Sequence, residues 1–386
     1  MVLPLLLLMA TRRLSPGNDL SSTWDSLAKA IRTLYYAHDS RKAEVDKRLA
    51  HYAPLATAAT SRTDFAGIIN KMLVEFGDSH FDFATSTDQN YYVLDGLLSG
   101  HPEPLPNIGA WFKPVSGGYE LSMLLEGGAA QQAGLRKGDL LFSADGKPFA
   151  PVDSLAAKVG RSVVLGYIRN GHPLTATLSV GSMPANEMFL KASEQSFQII
   201  HSGTRAFGYV HPWEMINDNF RRVVEEAADN SINTDGFILD LRDRFGGRPE
   251  GFDDVFFRPG DVLETKLAGT STKALLGYDK PLVVLVNEGT RSARELLAYV
   301  FQRSKRALIV GQHTAGAVLG TFPLRLNDWA IIEMPRAEML IDGESLEKVG
   351  VEPDFVVPKE FDADGDDLCL AKAIDTLTRE TAGKKG

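Results

Sequence analysis

Pro281-Leu-Val-Val-Leu-Val-Asn-Glu-Gly-Thr-Arg-Ser-Ala-Arg-Glu295 reads as a buried strand that runs through a glycine turn into a helix. Pro281 to Val286 is a continuous apolar, β-branched run, which a strand covered on both faces requires, and Asn287-Glu288-Gly289 breaks it. The chain then turns helical from Ser292. A serine at that junction has its hydroxyl on a sharp turn, and the N–H groups and positive dipole end of the helix can stabilise an oxyanion there. Ser292 with Glu295 three residues on also fits a capping box, a purely structural role. The rest of the chain has to decide between the two.

Outward from this unit, the segment from Phe189 to Pro358 alternates strands with helices and reads as one α/β domain. Phe207-Gly-Tyr-Val-His-Pro-Trp213 is a strand, Asn217 to Ala228 a helix, and Gly236-Phe-Ile-Leu-Asp-Leu-Arg242 a second buried strand. The last runs into Asp243-Arg-Phe-Gly246-Gly247. Two glycines at such a place let the backbone come close to something, with N–H groups that can form an anion-binding nest, or they simply close a tight turn. Downstream lie the apolar run Ala307-Leu-Ile-Val-Gly311, the Gly-rich Thr314-Ala-Gly-Ala-Val-Leu-Gly320, strands from Trp329 to Pro335, and Ile341-Asp-Gly-Glu-Ser-Leu-Glu347-Lys-Val-Gly-Val351-Glu-Pro-Asp354. A polar loop, Lys359 to Asp367, leads to a final helix and a Lys-rich tail.

Upstream, Ser21 to Phe76 places apolar residues at three and four spacing, as in Leu27-Ala-Lys-Ala-Ile31 and Phe65-Ala-Gly-Ile-Ile69, and predicts a small helical unit. A polar turn bearing a histidine, Gly77-Asp-Ser-His80, ends it; a lone loop histidine is more often solvated than functional. From Asn107 to Val180 the texture changes to short strands and Gly turns. The N-terminal run Met1-Val-Leu-Pro-Leu-Leu-Leu-Leu-Met-Ala10 is too short to span a bilayer and is similar to the apolar part of a signal peptide, although no basic residues precede it. That reading predicts an exported protein, periplasmic or extracellular, with no stable membrane span.

With 386 residues, the chain has room for two or three domains. Its formal net charge of −9, with no basic, aromatic-interleaved patch, excludes nucleic acid as a partner. One cysteine, Cys369, leaves no disulfide framework and no thiolate zinc site. His-Glu-x-x-His, phosphate-loop and dinucleotide glycine patterns are missing too, so neither metal nor cofactor is expected.

Ala133-Gly-Leu-Arg-Lys-Gly-Asp-Leu-Leu141, followed by Asp145-Gly-Lys147, resembles the most recognisable segment of a PDZ domain. Such domains bind extended C-terminal tails by adding a strand to a sheet edge. The PDZ-like segment, Asp240-Leu-Arg242 leading to Gly246-Gly247, Asn287-Glu-Gly-Thr-Arg-Ser292-Ala-x-Glu295, Val310-Gly-x-x-Thr314-x-Gly316 and Gly350-Val-x-Pro-Asp354 occur in that order. Together they resemble one family, the C-terminal processing (tail-specific) peptidases and their tricorn-core relatives, serine peptidases with a crotonase-like α/β core and, often, an inserted PDZ domain. The resemblance implies a multidomain α/β fold: a leader over residues 1–18, an N-terminal helical cap carrying His80 over 19–98, a PDZ domain over 105–182, the peptidase core over 189–358, and a C-terminal helix and polar tail over 359–386.

In the processing branch a lysine serves as general base, but Ala317 stands at the matching position here. The tricorn-like branch is similar to a Ser–His–Glu arrangement, and Asp78-Ser-His80 and Glu347 match it. Neutral imidazole suits the task, since its ordinary pKa lies near 6.5 and a carboxylate behind it fixes the tautomer. The resemblance therefore implies Ser292 as nucleophile, His80 as base and then acid, and Glu347 as orienting carboxylate. It also implies backbone N–H groups of Gly246 and Ala293 as oxyanion hole, for acyl-enzyme hydrolysis of peptide bonds. Gly109 and Ala110 fall in the PDZ carboxylate loop, beside Trp111 where an aliphatic residue is more usual. Glu344 rivals Glu347, Asp78 is an alternative brace for His80, His313 is the second-choice base, and His211 reads as packed. The expected partners are protein or peptide substrates bound through their C-terminal tails, and a homo-oligomer is left open. A non-catalytic protein that binds peptides or apolar ligands, and a hydrolase of small esters, are the competing readings.

Overall fold

The computed structural model describes residues 20–244 and 246–382; the expected leader and the end of the tail lie outside the described residues. It is a mixed α/β structure. Helices α1 (Leu20–Leu34), α2 (Lys42–Thr57) and α3 (Arg62–Val74) open the chain. Leu27, Ile31, Leu49, Phe65, Ile69 and Met72 line their inner faces at helical spacing and form one apolar cluster. Ser61 caps α3 by accepting from the Asp64 N–H at 3.0 Å. This unit is not purely helical, as the sequence led us to expect. It continues into strand β1 (Asp82–Thr85) and helix α4 (Gln89–Leu98), and β1 lies antiparallel to a strand near the far end of the chain, Phe83 opposite Ile332. A four-residue strand shows too little alternation to be recognised, and its partner is remote in sequence.

The next unit holds β2 (Leu105–Asn107), β3 (Ala110–Val115), β4 (Gly118–Leu124), α5 (Ala129–Gln132), β5 (Leu140–Ala144), β6 (Lys147–Pro148), α6 (Asp153–Ala156), β7 (Ser162–Arg169), β8 (His172–Ser179) and β9 (Gly181–Met183). Its antiparallel sheet runs in the order β3-β4-β5-β7-β8, and β2 pairs with β9 where the chain enters and leaves. Asp145 and Gly146, at φ 48° and 75°, make the tight turn between β5 and β6. Ile108, Leu121, Leu141, Leu155 and Leu165 give this unit an apolar cluster of its own, and β3 is the sheet's edge strand.

The remainder comprises α7 (Ala185–Ser196), β10 (Gln198–Ser202), β11 (Arg205–Val210), α8 (Asp218–Asn230), β12 (Gly236–Asp240), α9 (Asp254–Phe257), β13 (Val262–Leu267), β14 (Thr270–Leu275), β15 (Leu282–Val286), α10 (Ala293–Arg303), β16 (Leu308–Gly311), β17 (Gly320–Arg325), β18 (Ala330–Ala337), β19 (Phe355–Val356) and α11 (Leu368–Ala382). The central sheet is β10-β11-β12-β15-β16-β19, parallel from β11 onward. Strands β12 and β15 are buried along their whole length because both sheet faces are covered. Phe237, Leu239, Val284 and Val286 pack with Val223, Ala227, Leu297 and Phe301 of α8 and α10. Ile238, Val283 and Leu285 meet Cys369, Ala373 and Leu377 of α11 on the other face. Because β12 and β15 are parallel and in register, Asp240 opposite Leu285, both end on the same side. Loops at the carboxyl ends of such strands are where α/β sheets place their sites. β17 and β18 form a separate sheet with β1, which ties the N-terminal unit to this one. No described helix is long and apolar enough to cross a membrane.

Candidate active site

The loops that follow β12 and β15 are held together by one side chain. Asn287 accepts the Asp243 N–H at 2.9 Å and the Gly289 N–H at 3.0 Å, while its own N–H donates to Thr290 Oγ1. Thr290 Oγ1 in turn donates to the Leu241 carbonyl. Ser292 follows as the N-cap of α10, at φ 62° and ψ −133°, a conformation an L-residue adopts only under constraint. The constraint is visible. The Ser292 N–H is shared between the Ala317 carbonyl at 2.8 Å and Glu295 Oε2 at 3.1 Å. Glu295 is wholly buried and also accepts from Gly316 N, Ala317 N and Thr314 Oγ1, at 2.7, 2.9 and 2.5 Å. The capping box is therefore real, and the same carboxylate binds the 314–317 loop to the serine turn.

Gly246 lies against the start of α10. A Cβ there would come within 2.6 Å of Ala293 Cβ and 2.9 Å of the Arg294 nitrogen, so only glycine lets the two backbones approach this closely. Gly246 is buried, and its carbonyl accepts the Met215 N–H.

His80 occupies the turn before β1 at φ 63° and is buried. Its Nδ1 lies 2.7 Å from Ser79 Oγ, and Ser79 Oγ lies 2.9 Å from Glu347 Oε2. Glu347 also accepts the Ser79 N–H at 3.1 Å and the Val318 N–H at 2.7 Å. Protons can be assigned along this chain. An ionised carboxylate only accepts, so the Ser79 hydroxyl donates to Glu347 and takes its own hydrogen bond from Nδ1–H. The lone pair then sits on Nε2, which is buried and has no partner among the described residues. Burial, and after it the guanidinium of Arg291, lowers the His80 pKa to about 3, so the ring is neutral at physiological pH.

Residues 206–357 match the description Peptidase family S41. The chain carries an S41 peptidase domain. It is 29% identical over 263 residues to the chloroplastic carboxyl-terminal-processing peptidase 2 of Arabidopsis thaliana, covering 63% of this chain and 50% of that protein. Among solved structures it resembles a photosystem II D1 C-terminal processing protease (TM-score 0.52, 20% identity, 90% of this chain and 96% of that one). It also resembles the tricorn protease (TM-score 0.56, 18% identity, 94% of this chain and 37% of that one). At those identities the structural likeness is one of fold, and the chain spans half the length of the Arabidopsis relative.

Ser292 lies within the matched residues and His80 outside them, and the two are not hydrogen-bonded to one another among the described contacts; the 314–318 loop links them. Ala317 holds the serine's N–H and Val318, the next residue, holds Glu347. Asp78 is committed elsewhere, to the Tyr35 hydroxyl and to Arg41 at 2.7 Å. Glu344 accepts from the Tyr299 hydroxyl at an exposed position. His313 is half exposed, with Nδ1 against the Thr314 carbonyl. His211 is packed: Nε2 faces the Arg242 carbonyl at 3.1 Å and the ring lies 4.0 Å from that of Trp213. The Gly109 N–H donates to Asn107 Oδ1, the Ala110 carbonyl accepts from Gln89, and buried Trp111 donates to Asn90 Oδ1. Asp240 and Arg242 form a buried ion pair at 2.6 Å; burial alone would raise the Asp240 pKa, but the Arg242 charge holds it well below the carboxylate range.

Ser79 is the residue that sequence reasoning missed. It stands inside the quoted Asp78-Ser-His80 turn, but a serine beside a histidine carries no spacing signal. Only the contact with Glu347, 268 residues away, shows that its hydroxyl stands between a carboxylate and the imidazole.

Proposed function

We propose that the protein is a serine endopeptidase acting through an acyl-enzyme, with Ser292 as nucleophile, His80 as base and Glu347 acting on His80 through Ser79. The observation that carries the reading is the Glu347–Ser79–His80 chain, because it ends in a buried Nε2 whose lone pair has no partner among the described residues. In the reaction Ser292 Oγ gives its proton to His80 Nε2 and attacks the scissile carbonyl. The Gly246 and Ala293 N–H groups receive the oxyanion, each worth roughly 3 kcal/mol in comparable sites. Nε2–H then protonates the leaving amine, and water releases the acyl group by the same steps. Burial makes a lasting imidazolium unfavourable, so the proton resides there only while the oxyanion exists.

In the same proposal residues 105–182 are a PDZ domain that recruits unstructured C-terminal tails, residues 19–98 a cap that supplies His80, and residues 189–358 a crotonase-like core. The expectation of export is kept as part of the proposal. The second reading, a non-catalytic peptide-binding protein, is favoured by the lack of a His80–Ser292 hydrogen bond among the described contacts. One experiment separates them: a protein with an unstructured, apolar C-terminal tail is incubated with the parent and with Ser292→Ala, His80→Ala and Glu347→Ala. Cleavage by the parent that is lost in the serine and histidine variants supports the peptidase. Binding without cleavage, equal in Ser292→Ala, supports the binder, and cleavage that survives Ser292→Ala overturns the assigned nucleophile.

A further inference from the structure

β3 is the terminal strand of its sheet, so every second residue turns its N–H and C=O away from β4, and from Ala110 to Phe112 that edge is buried. Ala110 and Phe112 are two such residues, and a side chain occupies them. Gln89, at the first turn of α4 and 6% exposed, donates from Nε2 to the Ala110 carbonyl at 3.0 Å and accepts the Phe112 N–H through Oε1 at 3.0 Å. One primary amide thus makes one donor and one acceptor contact of the kind an added strand would make. The next residue on that edge is Pro114, which has no N–H to offer. Asn90, beside Gln89, accepts from Trp111 Nε1 and donates to Asp82 Oδ2, and Asp82 begins the strand that leaves His80.

We infer that the β3 edge is a docking edge for an extended polypeptide tail and that Gln89 is its built-in competitor. The inference rests on the proposed recruitment of tails by residues 105–182 and adds what that proposal lacks: the edge is closed in the free protein, and a tail enters by displacing the Gln89 amide. Backbone hydrogen bonds carry most of the recognition in strand addition, so the partner is defined by an extended, unpaired backbone. Two hydrogen bonds of ordinary net worth set the size of the competition.

The test uses the full chain carrying Ser292→Ala, so that the probe stays intact, and an unstructured fluorescent ten-residue peptide with an apolar end and a free carboxylate. Adding Gln89→Ala is expected to tighten binding roughly tenfold, about 1.4 kcal/mol. Adding Gln89→Glu, which keeps the size and the bond from Phe112 but cannot donate to Ala110, is expected to tighten it less. In the peptide complex of Gln89→Ala the Phe112 amide regains protection from hydrogen exchange. Equal affinities in all three proteins, or a Phe112 amide left unprotected by bound peptide, would overturn the inference while tail recruitment stands. If none of the three binds the peptide, tail recruitment itself fails and the inference with it.

Discussion

Ser79→Ala isolates the step on which the proposed mechanism turns. The substitution deletes one oxygen and keeps the Ser79 N–H that donates to Glu347 at 3.1 Å, so the carboxylate retains that bond and the one from Val318. Two bonds are lost: the charge-assisted one from the hydroxyl to Glu347, and the one from His80 Nδ1–H. Nδ1–H is then left with no acceptor inside a buried turn, which costs about 1–3 kcal/mol. Part of that falls on the resting protein. The part that strengthens as the imidazolium forms falls on the transition state, and about 2 kcal/mol there lowers kcat roughly 30-fold. KM should hold, because Ser79 is placed behind the histidine and away from bound peptide. The assay is steady-state cleavage of a tail-bearing protein at pH 7.5 by the parent, Ser79→Ala and Ser79→Thr, the last restoring the hydroxyl and most of the rate. A Ser79→Ala enzyme with kcat within twofold of the parent refutes the relay and leaves Glu347 a structural residue.

Two further outcomes follow from the same geometry. Gly246→Ala must push α10 away, since its Cβ would lie 2.6 Å from that of Ala293; kcat should fall about 100-fold or more as a hydrogen-bond donor to the oxyanion is displaced, and an unchanged kcat would remove Gly246 from the oxyanion hole. For His80 the folded-state pKa is lowered from 6.5 to about 3, so below pH 6.5 the unfolded chain takes up a proton that the folded chain refuses. Stability should therefore be level in this respect above pH 6.5 and decline between pH 6.5 and 3, by at most about 1.4 kcal/mol per pH unit. Urea unfolding at pH 7.5, 6 and 5 checks this against His80→Gln, in which the decline should be shallower; parallel declines would mean that His80 is not buried neutral.

The core was legible where a physical constraint acts over a short window. The apolar runs at Gly236 and Pro281 predict strands covered on both sides, and β12 and β15 are buried from end to end because α8 and α10 cover one face and α11 the other. The Gly246-Gly247 turn was legible as a close approach, but not what it approaches, which depends on the parallel register that ends β12 beside β15. β1 escaped notice because Asp82–Thr85 is short and its partner β18 lies at the other end of the chain. The Glu347–Ser79 contact escaped for the same reason: no local periodicity reports a bond between residues 268 positions apart. Gln89 on β3 is a third case, where a polar residue at a helix start gives no sign that its amide will lie along a sheet edge.

The proposal that Ser292 is a nucleophile and not only a cap draws on its backbone as well as on its neighbours. An ordinary N-cap takes up an extended, negative-φ conformation, and nothing about capping α10 requires φ 62° with ψ −133°. Such a conformation costs on the order of 1–3 kcal/mol for an L-residue, and here the Ala317 carbonyl and the Glu295 carboxylate impose it by sharing one N–H. Strain that is imposed and kept at a strand-to-helix turn is what presenting a hydroxyl demands. Glycine adopts this conformation freely, so Ser292→Gly should be more stable than Ser292→Ala by about 1 kcal/mol after the extra flexibility of glycine in the unfolded chain is subtracted. Both should be inactive. Paired thermal melts of the two variants decide the point: if Ser292→Gly is the less stable, the turn is not strained, and the positive φ is no mark of a nucleophile.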